Sequence, residues 1–274
     1  MKPDETDLIR NWVAAEGWNP GVHDAKCFFA ADPQGVFIGE VSGEPVSMIS
    51  CVAHDASFGF AGLYIVKRDF RGRGYGYQTW KSGIEYLGAR TIGLDGVLEQ
   101  QQNYERSGFV FAYNHLRFRG EGGGSAPAGL VPLGSIPFED VLAFDTARAP
   151  SPRPRFLRGW LDLPESVGLA STRNGKLSGF GMLRRCVEGY KIGPLLADDV
   201  AAAEALLRGL LAQFPGQPIF LDAPDAAPAP IDLASRFGMK EVFRTARMYT
   251  RPVAAPLGGS RIPGVFGIAS MELG

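Results

Sequence analysis

The chain repeats itself once, and that repeat limits its fold more than any single motif. "IGLDGV" at residues 92–97 is answered by "IFLDAP" at 219–224, which aligns Asp95 with Asp222. "RSGF" at 106–109 is answered by "RFGM" at 236–239. A period this long lies well above that of solenoid arrays, so the reading is two copies of one α/β module.

The elements around these anchors come in the same order twice. In the first half, Leu8, Ile9, Trp12 and Val13 have helical spacing, with Gly17 near the helix end. A loop with a short helix follows. A hairpin then turns at Ser42-Gly43-Glu44, and residues 58–66 form a nearly continuous apolar strand, as expected for one buried on both faces. A helix at 77–89, a strand at 91–97, a short helix closed by Gly108 and a strand at 109–119 complete the half. The second half has helices at 138–148 and 153–163 and a hairpin turning at Asn174-Gly175, which favours two left-handed positions. Strand 189–198, helix 200–214, strand 218–224, helix 230–239 and strand 240–250 follow. The segment at 119–135 is rich in Gly, Ser, Ala and Pro and reads as a linker. The expected division is a first domain at 1–120, a linker at 121–136 and a second domain at 137–274 that includes a tail after the last strand.

Charge and cysteines narrow the function classes. The 274-residue chain carries 28 Lys+Arg against 29 Asp+Glu, a net charge of −1, which disfavours a dedicated nucleic-acid binder. The three cysteines, Cys27, Cys51 and Cys186, are far apart and lack metal-ligand spacing, so reduced buried thiols and no metal are expected. No signal peptide and no bilayer-spanning apolar run is visible, so the expected location is the cytoplasm, with no membrane partner.

One stretch differs between the halves. "RGRGYG" at 71–76 lies between a strand and a helix, whereas the second half has "GPLLADD" at 193–199. Glycines allow successive backbone N–H groups to converge into an anion nest, and the following helix adds its positive end. Arg71 and Arg73 can add charge-assisted hydrogen bonds. The stretch therefore suits a pyrophosphate held without metal. It is not a Walker A loop, which needs GxxxxGK(S/T), and its glycines form GxGxG rather than the dinucleotide-binding GxGxxG.

Arg71-Gly72-Arg73-Gly74-Tyr75-Gly76 resembles motif A of the GCN5-related N-acetyltransferase (GNAT) superfamily, (R/Q)-x-x-G-x-(G/A). "NYERSGF" at 103–109 resembles that family's later segment. The whole arrangement is similar to tandem GNAT proteins whose C-terminal copy is degenerate. The resemblance implies a mixed α/β (α+β) fold: two modules, each a largely antiparallel sheet with a splayed parallel strand pair flanked by helices. It implies acetyl-CoA as cosubstrate, with its pyrophosphate on the amides of the glycine turn. Its pantetheine arm would lie on Leu63, Tyr64, Ile65 and Val66, with Asn103 and Arg106 nearby. One site per chain is expected, since Ala234 stands where the register puts Tyr104.

The implied reaction is attack by a primary amine of a small molecule or amino acid on the thioester. The amine must first lose a proton to a base, directly or through water. Tyr104 is the candidate acid for the departing thiolate. The base candidates are His54 and Asp95, with Asp55 and Glu99 as further carboxylates; the glutamate that many relatives carry on the motif strand is missing from "FAGLYIV". Asp95 also reads as a turn-capping carboxylate, and its match with Asp222 favours that. His23 and His115 read as surface or packing residues. Trp18 and Asp24 are candidates for holding the stem and the nitrogen of the acceptor. A monomer or homodimer is expected. The alternative function is a non-catalytic acyl-CoA sensor, in which Tyr104 would be dispensable.

Overall fold

The computed structural model describes residues 6–253 and 263–274. The first half runs α1 (Thr6–Ala15), α2 (Asp24–Ala31), β1 (Val36–Val41), β2 (Glu44–Ala53), β3 (Phe58–Val66), α3 (Tyr75–Leu87), β4 (Thr91–Val97), α4 (Gln101–Arg106) and β5 (Val110–Glu121). The second runs β6 (Leu130–Pro132), α5 (Phe138–Thr146), α6 (Pro154–Leu161), β7 (Ser166–Arg173), β8 (Lys176–Arg185), β9 (Tyr190–Ala197), α7 (Val200–Leu211), β10 (Pro218–Pro224), α8 (Pro228–Arg236), β11 (Lys240–Tyr249) and β12 (Val265–Gly267).

The strands form one twelve-stranded sheet in the order β1-β2-β3-β4-β11-β5-β10-β9-β8-β7-β6, with β12 added on β9. Most pairs are antiparallel; β3–β4 and β9–β10 are parallel. Each parallel pair brackets a helix, α3 or α7, as a parallel crossover requires. Both short helices end identically. Phe109 N donates to Tyr104 O at 3.1 Å, and Met239 N donates to Ala234 O at 3.1 Å, with Gly108 and Gly238 left-handed at φ 89° and 70°. These are Schellman ends, and they place Ala234 at the structural position of Tyr104.

The halves interleave. β11, the last long strand of the second half, lies between β4 and β5 of the first, and β5 in turn pairs with β10. Alternation along β2 supplies two cores: Met48 and Val52 join a central cluster with Phe28, Phe156, Trp160 and Phe180, while Ile49 and Cys51 pack under α3 with Trp80, Leu87 and Leu94. A third cluster under α7 and α8 mirrors the latter.

Two expectations change. Residues 121–136 are not a free linker: β6 pairs with β7, Leu133 is buried, and Gly122 and Gly123 donate to the carbonyls of Gln217 and Leu211. The glycines there let the chain pass close against the end of α7 before β6 joins the sheet's edge. Helix α3 starts at Tyr75, inside the glycine turn and two residues before its periodic pattern. Of the tail, residues 254–262 lie outside the described residues, and the rest forms a strap described below.

Candidate active site

The pairing of β3 with β4 stops at Ala61↔Leu94. Beyond that point Ile49 of β2 lies opposite both Leu63 and Tyr64, because Met48 pairs with Ile65 and Ser50 with Gly62. This is a bulge, and Leu63 takes a left-handed φ of 51° within it. The strands therefore splay, leaving a cavity of about 440 Å³. Leu63, Tyr64, Ile65 and Val66 line one side, and Leu94, Asp95 and Val97 the other.

Gly72, Gly74 and Gly76 line the cavity where α3 begins. Gly72 and Gly74 have φ of 75° and 85°, which side-chain-bearing residues rarely adopt, and a Cβ on either would meet nothing. Gly74 is the N-cap of α3, and no side chain caps it. The first N–H groups of a 13-residue helix are thus free to meet an anion at the cavity's edge. Arg71 lines the cavity, donates to Val66 O at 2.9 Å and reaches Glu16 at 2.6 Å. This donor set fits a pyrophosphate. Arg73 and Tyr75 lie outside the lining and pack on Phe70. Asn103 and Arg106 also lie outside; they are exposed and bonded within α4, whereas Gln100 beside them lines the cavity.

Tyr104 lines the cavity, its ring 5.5 Å from that of Trp80. Burial, and then Tyr64, raise its pKa well above that of a free phenol, so it stays protonated at neutral pH. Its place depends on Gly96: a Cβ there would run into the Tyr104 ring. In the second half Ala223 and Ala234 stand at these two positions. The paired change from Gly/Tyr to Ala/Ala was readable in the sequence once the halves were aligned.

The base candidates fare differently. Asp95 lines the cavity, but Arg247 holds it at 2.6 and 2.9 Å and His115 Nδ1 lies 2.8 Å away. Burial opposes its ionisation, yet Arg247 and His115 outweigh burial and lower its pKa. It is a structural counter-ion, and a poor proton acceptor. His54 does not line the cavity; its Nε2 lies 3.3 Å from Leu273 O, and burial, followed by Arg153, lowers its pKa to about 4. Asp55 caps the turn at Ser57 and Phe58, and Glu99 lies outside the lining. His23 bonds Glu165 at the surface.

Of the acceptor candidates, Trp18 lines the cavity. Asp24 does not: it is buried, pairs with Arg184 at 2.8 Å and caps Gly21 N. Its partner lies 160 residues away in the other half, so local sequence could not reveal it.

The strap at 263–274 carries what sequence reasoning missed. β12 pairs with β9, Ile268 N donates to Asp222 O at 2.9 Å, and Phe266 is buried under α7 and α8. The strap thus fills the second half's counterpart of the β3–β4 cleft. It then crosses to the first half, where Met271 and Glu272 line the cavity and the Glu272 carbonyl lies against Gly62 so closely that a Cβ there would collide with it. Arg117 of β5 and Phe243 and Thr245 of β11 complete this wall. Among the described residues no cluster of His, Cys, Asp or Glu could hold a metal, and no helix is long and apolar enough to cross a membrane. The three thiols are buried, and burial, then Asp24, pushes Cys27 up to about 12.

Comparison with known proteins agrees with this geometry. Residues 6–109 match the acetyltransferase (GNAT) family, and residues 141–259 match an acetyltransferase (GNAT) domain. The chain is 32% identical to a holothin acyltransferase from Pseudoalteromonas sp. (strain SANK 73390), covering 99% of this chain and 92% of that one. It superposes on a putative acetyltransferase from Pyrococcus horikoshii with a TM-score of 0.83 at 22% identity, covering 100% and 94% of the two chains. A tandem GNAT protein from the clavulanic acid biosynthesis pathway superposes with a TM-score of 0.63 at 13% identity, covering 92% and 97%.

Proposed function

The chain belongs to the GNAT family as a tandem member and is an acyltransferase; from that premise we propose that it moves an acetyl group from acetyl-CoA to a primary amine of a small molecule. The observation that carries this reading is the splayed β3–β4 cleft, with a glycine cradle and a protonated Tyr104 along one cavity. The acetyl-CoA site resides in the first half, residues 1–120, with 137–274 a degenerate copy. The cytoplasm is the proposed location. The relative is named for acyl transfer to holothin, and the acceptor of this chain is left to experiment.

The residues divide the work. Backbone N–H groups at Gly72, Gly74 and the start of α3, with Arg71, hold the pyrophosphate. The unpaired edge of β3 from Gly62 to Val66 aligns the pantetheine arm and offers N–H groups to the thioester oxygen. Acetyl-CoA supplies an activated acyl group, and the protein's part is mainly placement. Tyr104 gives its phenolic proton to the departing sulfur.

Two variants test the reading together. Arg71→Glu should abolish acetyl-CoA binding in calorimetry. Tyr104→Phe should bind acetyl-CoA as the wild type does, with turnover in a thiol-release screen over an amine library slowed about 10²-fold or more. If acetyl-CoA binds and no amine is ever acetylated, the acyl-CoA sensor is the better account.

A further inference from the structure

Glu272 is the one carboxylate lining the cavity that has no cationic side chain within salt-bridge distance, among the described residues. Glu16 is held by Arg71 and Asp95 by Arg247. Glu272 is 7% exposed, and its carboxylate accepts no hydrogen bond from the described residues. A buried carboxylate without a donor is costly. Its oxygens are not sealed off, so a donor can reach them from the space beside the residue. The other void it borders, against α1 and α2, is about 10 Å³ and has room for no more than a water. The 440 Å³ cavity is the one of the two with room for a substrate.

Resting on the acyl-transfer reading above, we propose that Glu272 is the proton acceptor for the incoming amine, and that the acceptor is a primary amine on an apolar or aromatic stem. Trp18, Phe243 and Met271 supply the apolar wall next to Glu272. The charged groups that face Glu272 are Arg117 of β5, Arg184 of β8 and Lys191 of β9, with Arg10 and Asp24 across the small void. Arg117 bonds Asp222 at 2.7 Å, Lys191 lies 4.0 Å from the same carboxylate and Arg184 bonds Asp24 at 2.8 Å, and none of the three reaches Glu272 within salt-bridge distance. In the step, the nitrogen lone pair forms the bond to the thioester carbon and the carbon–sulfur bond breaks. The proton leaving nitrogen passes to the Glu272 carboxylate, and the sulfur takes its proton from Tyr104. As the new bond forms the nitrogen becomes acidic, so a carboxylate is a competent base at that moment.

The test compares wild type with Glu272→Gln and Glu272→Asp, first by calorimetry of acetyl-CoA and of an amine found by the library screen titrated into the CoA complex. Turnover over pH and thermal unfolding follow. Glu272→Gln should keep acetyl-CoA affinity and unfolding temperature, bind the amine about tenfold more weakly, lower kcat by 10²-fold or more and lose the acidic limb of the pH profile. Glu272→Asp should recover part of the rate and the limb. Unchanged turnover and pH profile in Glu272→Gln would overturn the proposal while leaving the acyl-transfer reading intact, and a lowered unfolding temperature with an unchanged pH profile would reduce Glu272 to a structural role. If wild type binds no acetyl-CoA or acetylates no amine, the acyl-transfer reading fails, and the role of Glu272 fails with it.

Discussion

Gly96 and Tyr104 act as one device at two positions. The ring of Tyr104 occupies space that only a missing Cβ leaves open. Gly96→Ala should therefore displace the phenol, lowering kcat about 10-fold or more while acetyl-CoA binding persists, at a cost of about 1–3 kcal/mol in urea unfolding. His54 gives a second residue-level outcome. Its folded pKa of about 4 lies below its ordinary 6.5, so the unfolded chain binds more protons between those values. Stability should then fall as pH drops from about 6.5 to 4, and His54→Phe should flatten that part of a plot of unfolding temperature against pH. Residue types were legible in the sequence, and their partners were not. Asp95 and Asp222 were correctly aligned, yet Arg247 and Arg117, which decide what they do, come from the opposite half. Asp24 has the right chemistry for an amine, and Arg184 takes it.

At the level of elements, periodicity and turn residues located nearly every helix and strand, because each has one buried face that its own sequence must record. The strap escaped for the opposite reason. β12 has three residues, too few to show a period, and its burial is set by a cleft built from distant segments. Phe266 is buried under α7 and α8, in the second half's counterpart of the β3–β4 cleft. Phe266→Ala should cost about 3–5 kcal/mol in urea unfolding. The calorimetric stoichiometry should nevertheless stay at one acetyl-CoA per chain, because the second cleft has no glycine cradle to replace the phenylalanine with.

Over the whole molecule, two reciprocal buried ion pairs lock the interleaving. Asp95 of β4 meets Arg247 of β11, and Asp222 of β10 meets Arg117 of β5. Removing one partner of such a pair usually costs several kcal/mol, since the other charge is left buried. Residues 1–120 expressed alone would lack β11, and β4 and β5 would have no common neighbour. That fragment should show no cooperative thermal transition and bind no acetyl-CoA, whereas co-expression with 121–274 should restore both. A 1–120 fragment that folds and binds acetyl-CoA alone would show β11 to be dispensable.

The same interleaving sets an order in time. A newly made domain ordinarily folds as it leaves the ribosome, amino-terminal part first. Here the strand between β4 and β5 is made more than a hundred residues after β5 itself. The half that carries the glycine turn must wait, incomplete, for β11 and the strap of the other half. The second copy thus becomes the clock for its twin, which gives selection a reason to retain it.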